Sequence, residues 1–282
     1  MQTTRKPHWL KVKLPSGDNF KELRQIVETH NLHTICSSGR CPNMGECWGE
    51  RTATFMILGN ICTRSCSFCN VATGKPLPVD LAEPEKVAKS IQLMGVKHAV
   101  ITSVDRDDLP DGGAGLWAAT IRKIRDYNPD ITMETLIPDF QGKQHLLDII
   151  IKEAPEVVSH NLETVRRLTK QVRKQAKYDR SLAVLKYLKD QGINRTKSGI
   201  MLGLGETEEE VIETMKDLRQ AGVDVMTIGQ YLQPSPKHLP VERYPHPDEY
   251  KKYEKIGLEM GFRFVESGPL VRSSYHAHKH IH

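Results

Sequence analysis

The sequence predicts an α/β protein: a partial, TIM-like (β/α)6 barrel with an N-terminal and a C-terminal extension. Three observations predict it. Short apolar runs alternate with longer amphipathic ones from residue 53 onward, the mark of parallel βαβ units. Six such units are present, which is too few for a closed eightfold barrel. The 282 residues allow one large α/β domain flanked by extra segments.

Each element has its own signal. Strands are predicted at 53–58, 98–102, 132–136, 157–159, 198–202 and 225–228, where β-branched and other apolar residues run together. Helices are predicted near 84–94, 115–127, 143–153, 164–168, 180–191 and 208–221. Thr207 followed by Glu210 reads as a capping box. Gly192 and Gly222 follow periodic runs and read as helix stops. Residues 1–52 form the N-terminal extension, with a helix at 20–32 on the spacing of Phe20, Leu23, Ile26 and Val27. The stretch from Cys36 to Cys47 is rich in Gly, Pro, Ser and Asn and is predicted as loop or short turns. Residues 53–262 form the barrel. Beyond Pro234 the sequence predicts a loop, one helix at 248–260 and a tail. Residues 263–282 form the C-terminal segment, whose alternating His276, His278, His280 and His282 read as a frayed end.

The chain carries six cysteines, 40 Lys and Arg, 35 Asp and Glu, and a formal net charge of +5. That mild positive balance suits an acidic protein partner and does not require nucleic acid or a membrane surface. The densest basic run, from Arg166 to Arg180, reads first as a solvated helix face. Neither a transmembrane stretch nor an apolar secretory leader is visible, so a cytoplasmic, reducing compartment is expected. In such a compartment clustered cysteines are metal ligands or catalytic thiols before they are disulfides.

All six fall in the first quarter of the chain. Cys36, Cys41 and Cys47 are spaced C-x4-C-x5-C; Cys62, Cys66 and Cys69 are spaced C-x3-C-x2-C. A four-iron cube offers four metal positions, so three thiolates leave one open. Zinc is the competing reading, but it wants four ligands, usually in paired spacings, and only His98 is at hand to complete a set.

The second triplet follows the first strand directly, and Phe68 precedes its last cysteine. That placement resembles the radical S-adenosylmethionine superfamily. The resemblance implies that the methionyl amino and carboxylate groups fill the fourth iron position and that one electron cleaves the cofactor to a 5′-deoxyadenosyl radical. Polar residues at strand ends are its expected contacts: Thr102, Ser103 and Asp105, then Asn161 and Glu163, with Arg173 or Arg180 for the carboxylate and Phe68 beside the cysteines. Gly203 and Gly205 would admit the adenosine closely or simply make a tight strand-to-helix turn.

The first triplet resembles the auxiliary-cluster motif of the lipoyl synthase family. The segment from Arg5 to Pro15, the run Thr102-Ser103-Val104-Asp105-Arg106-Asp107-Asp108, His160-Asn161-Leu162-Glu163 and Arg272-Ser273-Ser274-Tyr275 are similar to that family too. The resemblance implies two 4Fe-4S clusters and S-adenosylmethionine as cofactors. It implies insertion of sulfur at C6 and C8 of an octanoyl chain on a lysine of a lipoyl carrier domain or the glycine-cleavage H protein. The auxiliary cluster would supply the sulfur and be consumed, with Ser273 as its fourth, hard and labile ligand and Arg272 ordering it by charge-assisted hydrogen bonds. A flavodoxin- or ferredoxin-type electron donor and an iron-sulfur assembly or carrier protein are implied as further partners. The sequence does not set the oligomeric state, and a monomer is the default expectation. Other radical sulfur inserters, such as biotin-synthase-like or methylthiotransferase-like enzymes, do not fit an auxiliary triplet placed before the radical one. A non-enzymatic iron-sulfur carrier would need no barrel, and an RNA-binding zinc protein would need a stacking platform of aromatics that is missing.

Overall fold

The computed structural model describes residues 6–12, 17–29, 34–38, 41–49 and 54–281. Two compact units emerge: Lys13–Arg64 with Asn70–Val158, and Met1–Val12 with Ser65–Cys69 and Ser159–His282.

The first unit begins with helices α1 (Asp18–Thr29), α2 (Ile35–Ser38) and α3 (Met44–Gly49). α1 buries Leu23 and Val27, one helical turn apart on a single face. Strand β1 (Thr54–Ile57) is buried at every position, as expected of a parallel strand covered on both faces. A small parallel ribbon follows, β2 (Ile61–Cys62) with β3 (Ala72–Thr73). Then come α4 (Glu83–Met94), β4 (His98–Ser103), α5 (Ala114–Tyr127), β5 (Thr132–Leu136), α6 (Gln144–Lys152) and β6 (Val157–Ser159), whose last residue passes into the second unit. β1 pairs with β4 and β4 with β5, both parallel. α4 stops at Gly95, left-handed at φ 62°.

The second unit contains α7 (Thr169–Val172), α8 (Tyr178–Asp190), β7 (Arg195–Leu202), α9 (Glu208–Gln220), β8 (Val225–Gln230), α10 (Pro247–Glu259) and β9 (Phe264–Ser267). β7 pairs with β8 and β8 with β9, again parallel. Ile200, Leu202, Val211, Met215, Met226, Ile228, Tyr250 and Tyr253 form its core between strands and helices. The capping box is present: Thr207 Oγ1 accepts from the Glu210 N–H, and the Glu210 carboxylate accepts from the Thr207 N–H. Gly192 and Gly222 are left-handed at the ends of α8 and α9, as the sequence predicts.

Four expectations change. The Cys36–Cys47 stretch is not only loop, since α2 and α3 carry Cys36 and Cys47. The predicted helix at 164–168 is a single 3-10 turn, Arg166–Leu168, leading into α7. The tail holds a strand, β9, too short and too close to Gly261 to announce itself by alternation. The end of the chain is not frayed among the described residues: Ala277–Ile281 forms a 3-10 turn with Ala277 and His280 buried. Residues 30–32 of the predicted first helix, Gly39, Arg40, Ala53 and His282 lie outside the described residues.

Candidate iron-sulfur and cofactor site

In the first unit, β1 ends in a braced turn. Leu58 adopts φ 68° and Gly59 φ 88°, and their N–H groups donate to the Glu83 carboxylate at 2.7 and 3.4 Å. Burial pushes the Glu83 carboxyl up in pKa, and those N–H donors pull against it. A left-handed leucine costs on the order of 1–3 kcal/mol and persists only where its surroundings hold it. Arg106 adds a third brace, donating to the Leu58 carbonyl at 3.3 Å.

The chain reaches Cys62 on β2. Thr63 donates both N–H (3.0 Å) and Oγ1–H (2.9 Å) to the Asp105 carbonyl, and its Oγ1 accepts from the Asp107 N–H at 3.0 Å. The Cys62 sulfur accepts from two backbone N–H groups, Arg64 at 3.4 Å and Asp105 at 3.3 Å. Burial and the Asp105 carboxylate raise the Cys62 thiol pKa, while both N–H donors favour the thiolate. Two fixed donors aimed at one sulfur are what a negatively charged cluster ligand needs around it.

Sequence reasoning missed the group that sets this geometry. Arg64 is 5% exposed and binds three carboxylates. It grips Asp107 with two bonds, 2.6 and 2.8 Å, reaches Asp139 at 2.7 Å, and pairs with Asp105 at 3.3 Å. Burial works against its charge, but Asp107, Asp105 and Asp139 together raise its pKa further still. The Arg64 hydrogen bond in turn holds the Asp107 carboxyl below its usual range. The available signal was an arginine inside the cysteine triplet and an Asp105-Arg106-Asp107-Asp108 run one strand later.

In the second unit, the Cys66–Cys69 turn closes by the Cys69 N–H on the Cys66 carbonyl, 3.2 Å. Ser67 donates its N–H to Val172 and its hydroxyl to Gln171, each at 2.9 Å. His238 Nε2 lies 3.0 Å from the Cys69 carbonyl. Phe68 packs its ring against the core of this unit.

The remaining candidates divide by what they already hold. Thr102 is buried and donates to the Leu136 carbonyl, so its hydroxyl proton is committed within the first unit. Ser103 accepts from the Trp117 indole N–H at 3.2 Å. Glu163 is a non-glycine residue at φ 66°, fixed by its own N–H to the Gly199 carbonyl and by the Met201 N–H to its carbonyl, both 2.9 Å. Burial raises its carboxyl pKa, against the pull of Arg173 and Asn161. Arg173 is buried and donates to the Leu162 carbonyl and to Ser181 Oγ, both at 3.2 Å. It is therefore no part of a solvated basic face. Arg166 and Arg167 of that run are paired with Asp217 and Glu210. Arg180 is half-buried and donates to the Gln175 carbonyl at 3.3 Å. Asn161 Oδ1 is buried with no hydrogen-bond donor among the described residues, an open acceptor next to Glu163. Gly203 serves packing: a Cβ there would lie 2.6 Å from the Arg243 carbonyl, and Glu206 accepts from the N–H groups of Gly203 and Leu204 at 2.7 and 2.9 Å.

The first triplet is built differently. Cys36 is buried on α2, and its carbonyl accepts the Cys41 N–H at 2.9 Å. Burial raises the Cys36 thiol pKa; the Thr54 backbone opposes, and the Cys41 thiol pushes it up further. Cys47 lies on α3, its N–H bonded to the Asn43 carbonyl at 2.9 Å. Asn70, next after Cys69, donates its side-chain amide to the Ser38 carbonyl at 2.8 Å, ending α2. In the second unit, Ser273 sits part-exposed in a turn closed by the Tyr275 N–H on the Arg272 carbonyl, 2.9 Å, and Arg272 donates to the Val271 carbonyl at 2.6 Å. Among the described residues no three His, Cys, Asp or Glu side chains gather tightly enough for one metal ion. All six thiols are free of disulfides, and the two backbone N–H groups on the Cys62 sulfur suit a thiolate ligand to cluster iron.

A family model described as the radical SAM superfamily matches residues 56–218. The structure of SuiB from Streptococcus suis, solved with bound S-adenosylmethionine, is similar in fold at TM-score 0.60 and 14% identity, covering 79% of this chain and 53% of that one. The chain is thus a member of the radical S-adenosylmethionine superfamily, with the parallel α/β architecture of those enzymes.

A second model, the N-terminal domain of lipoyl synthase, matches residues 1–41. Lipoyl synthase of Christiangramia forsetii is 71% identical over 98% of this chain and 94% of its own length. The mitochondrial lipoyl synthase of Nematostella vectensis is 70% identical over 98% and 95%. The chain belongs to the lipoyl synthase family.

Proposed function

We propose that this enzyme inserts two sulfur atoms, at C6 and C8, into an octanoyl chain held on a lysine of a lipoyl carrier domain or of the glycine-cleavage H protein. One observation carries the reading: two cysteine triplets of unlike spacing in a chain that matches lipoyl synthases over nearly its whole length. When bound, the cofactors supply a 5′-deoxyadenosyl radical from S-adenosylmethionine at one cube and sulfur from the other. Unactivated C–H bonds offer no acidity to a base, so a radical source is required.

The chain's own residues hold and orient these groups. Cys62, Cys66 and Cys69 take the radical-generating cube, with Arg64 and Asp105 N–H groups steadying the Cys62 thiolate. Cys36, Cys41 and Cys47 take the auxiliary cube, carried by the 1–52 extension. Ser273 supplies its fourth ligand from the 263–282 segment, with Arg272 beside it, while 53–262 forms the barrel. Glu163 and Asn161 serve the nucleoside, and Arg173 the carboxylate side. Thr102, Ser103 and Arg180, with protons or lone pairs already engaged, support these contacts. The enzyme works as a monomer in the cytoplasm, taking electrons from a flavodoxin- or ferredoxin-type donor and a replacement cluster from an iron-sulfur assembly or carrier protein. No helix among the described residues is long and apolar enough to cross a membrane.

Anaerobic reconstitution tests the reading. Two cubes give about eight irons per chain. Incubation with S-adenosylmethionine, reductant and an octanoyl-lysine peptide should yield 5′-deoxyadenosine and dithiolated peptide. Cofactor cleavage without thiolation would move the chain to another radical chemistry; bound zinc without cleavage would sink the enzyme reading. Ser273→Ala should keep S-adenosylmethionine binding and lose thiolation, and normal product yield there would refute the ligand role.

A further inference from the structure

The alternating histidines near the chain's end have no part in the reading above, yet one of them is among the most enclosed side chains of the second unit. His280 is fully buried, at 0% exposure. Its Nδ1 lies 3.3 Å from the Lys197 ammonium on β7, and Lys197 is itself at 0% exposure. Its Nε2 lies 3.7 Å from the Glu266 carboxylate on β9, and the ring packs on Phe264 at 5.7 Å between centroids. An ammonium can only donate, so Nδ1 accepts and the ring proton sits on Nε2, facing the carboxylate. His276 points to the other Glu266 oxygen at 3.7 Å. A buried lysine and a buried imidazole are each costly without partners, so this arrangement is specified by its chemistry.

The same segment is pinned at its start. The Val271 carbonyl oxygen lies 2.1 Å from the position a Cβ would take on Gly229 of β8. Only glycine admits the chain at that height. Between these two fixed points runs the Arg272–Tyr275 turn that carries Ser273, and Tyr275 stacks on His276 at 3.9 Å.

We propose that His280 is a positioning residue: docked between Lys197 and Glu266, it anchors the C-terminal segment and so fixes where Ser273 is presented. The proposal rests on the reading of Ser273 as a cluster ligand. A side chain that must meet one iron tolerates little slack, and a segment anchored only at Gly229 would swing. Losing an outer-shell support of a metal ligand costs about 10- to 100-fold in affinity or activity.

Three variants of the full-length reconstituted enzyme test it: His280→Phe keeps ring volume without the acceptor, His280→Asn restores an acceptor near Nδ1, and Ser273→Ala removes the ligand. Hydrogen exchange over residues 271–281 and the ratio of dithiolated peptide to 5′-deoxyadenosine are read for each. His280→Phe should lose protection across 271–281 and lower the product ratio about tenfold, with cofactor cleavage retained and partial rescue in His280→Asn. Unchanged protection in His280→Phe overturns the anchor. Lost protection with an unchanged product ratio overturns the positioning role. A normal ratio in Ser273→Ala fails the ligand reading instead, while the exchange data still judge the anchor. A chain ending at His276 gives a second exchange measurement if His280→Phe folds poorly; native protection of 271–276 in that chain also overturns the anchor.

Discussion

The two cysteine segments of the first unit are framed to different degrees. Around Cys62 the frame is dense: Thr63 on Asp105, Asp107 on Thr63, and two N–H groups on the sulfur, with Arg64 locked into three carboxylates. Around Cys36 and Cys47 the scaffold is two short helices and local turns, and the burial of Cys36 itself raises the cost of its thiolate. The difference matches the two duties proposed. A centre that acts repeatedly profits from a rigid, preformed cradle, whereas a centre dismantled in each turnover needs ligands that can let go and receive again.

Substitutions can break that comparison. Cys62→Ser should reduce 5′-deoxyadenosine formation to background and iron to about four per chain, leaving one cube. Cys36→Ser should also halve the iron yet preserve cofactor cleavage while abolishing thiolation. If both variants lose cleavage equally, the division of labour is wrong. Arg64→Leu comes next in size. It strands Asp107 and Asp139 without their buried cation, a loss of about 3–5 kcal/mol in a urea melt, and it should shift the reduction potential of the Cys62 cluster. A melt unchanged within error would show that the cradle does not depend on Arg64.

The smallest effect is in acid. Asp107 has its folded pKa depressed by Arg64, so its contribution is complete above the unfolded carboxylate value of about 3.9. It is lost as pH falls through the lowered folded value. Asp107→Asn should therefore destabilise the protein near neutrality and flatten the acid limb of its stability curve. A parallel acid limb in wild type and variant would place the acid sensitivity elsewhere.

Much of this was legible in the chain. The alternating runs gave the βαβ order because a parallel strand buried on both faces leaves an unbroken apolar stretch, as at Phe55 to Leu58. Thr207 with Glu210, and the two helix-ending glycines, act locally and were readable locally. β9 was not, because four residues give too little pattern and its stability comes from pairing with β8. Arg64 was overlooked because its three partners lie far along the chain. The burial of His280 was invisible for the same reason. An imidazole among charged and polar neighbours in sequence looks solvated until Lys197 and Glu266 are brought to it from two strands.

The bond from Asn70 to Ser38 has a mechanical consequence. One end is covalently next to Cys69, and the other closes the short helix that bears Cys36. It behaves as a strut of fixed length. On the function proposed, the helix bearing Cys36 keeps this tie to Asn70 whether or not a cluster is in place. The proposed delivery protein would then refit a socket whose datum point survives each turnover.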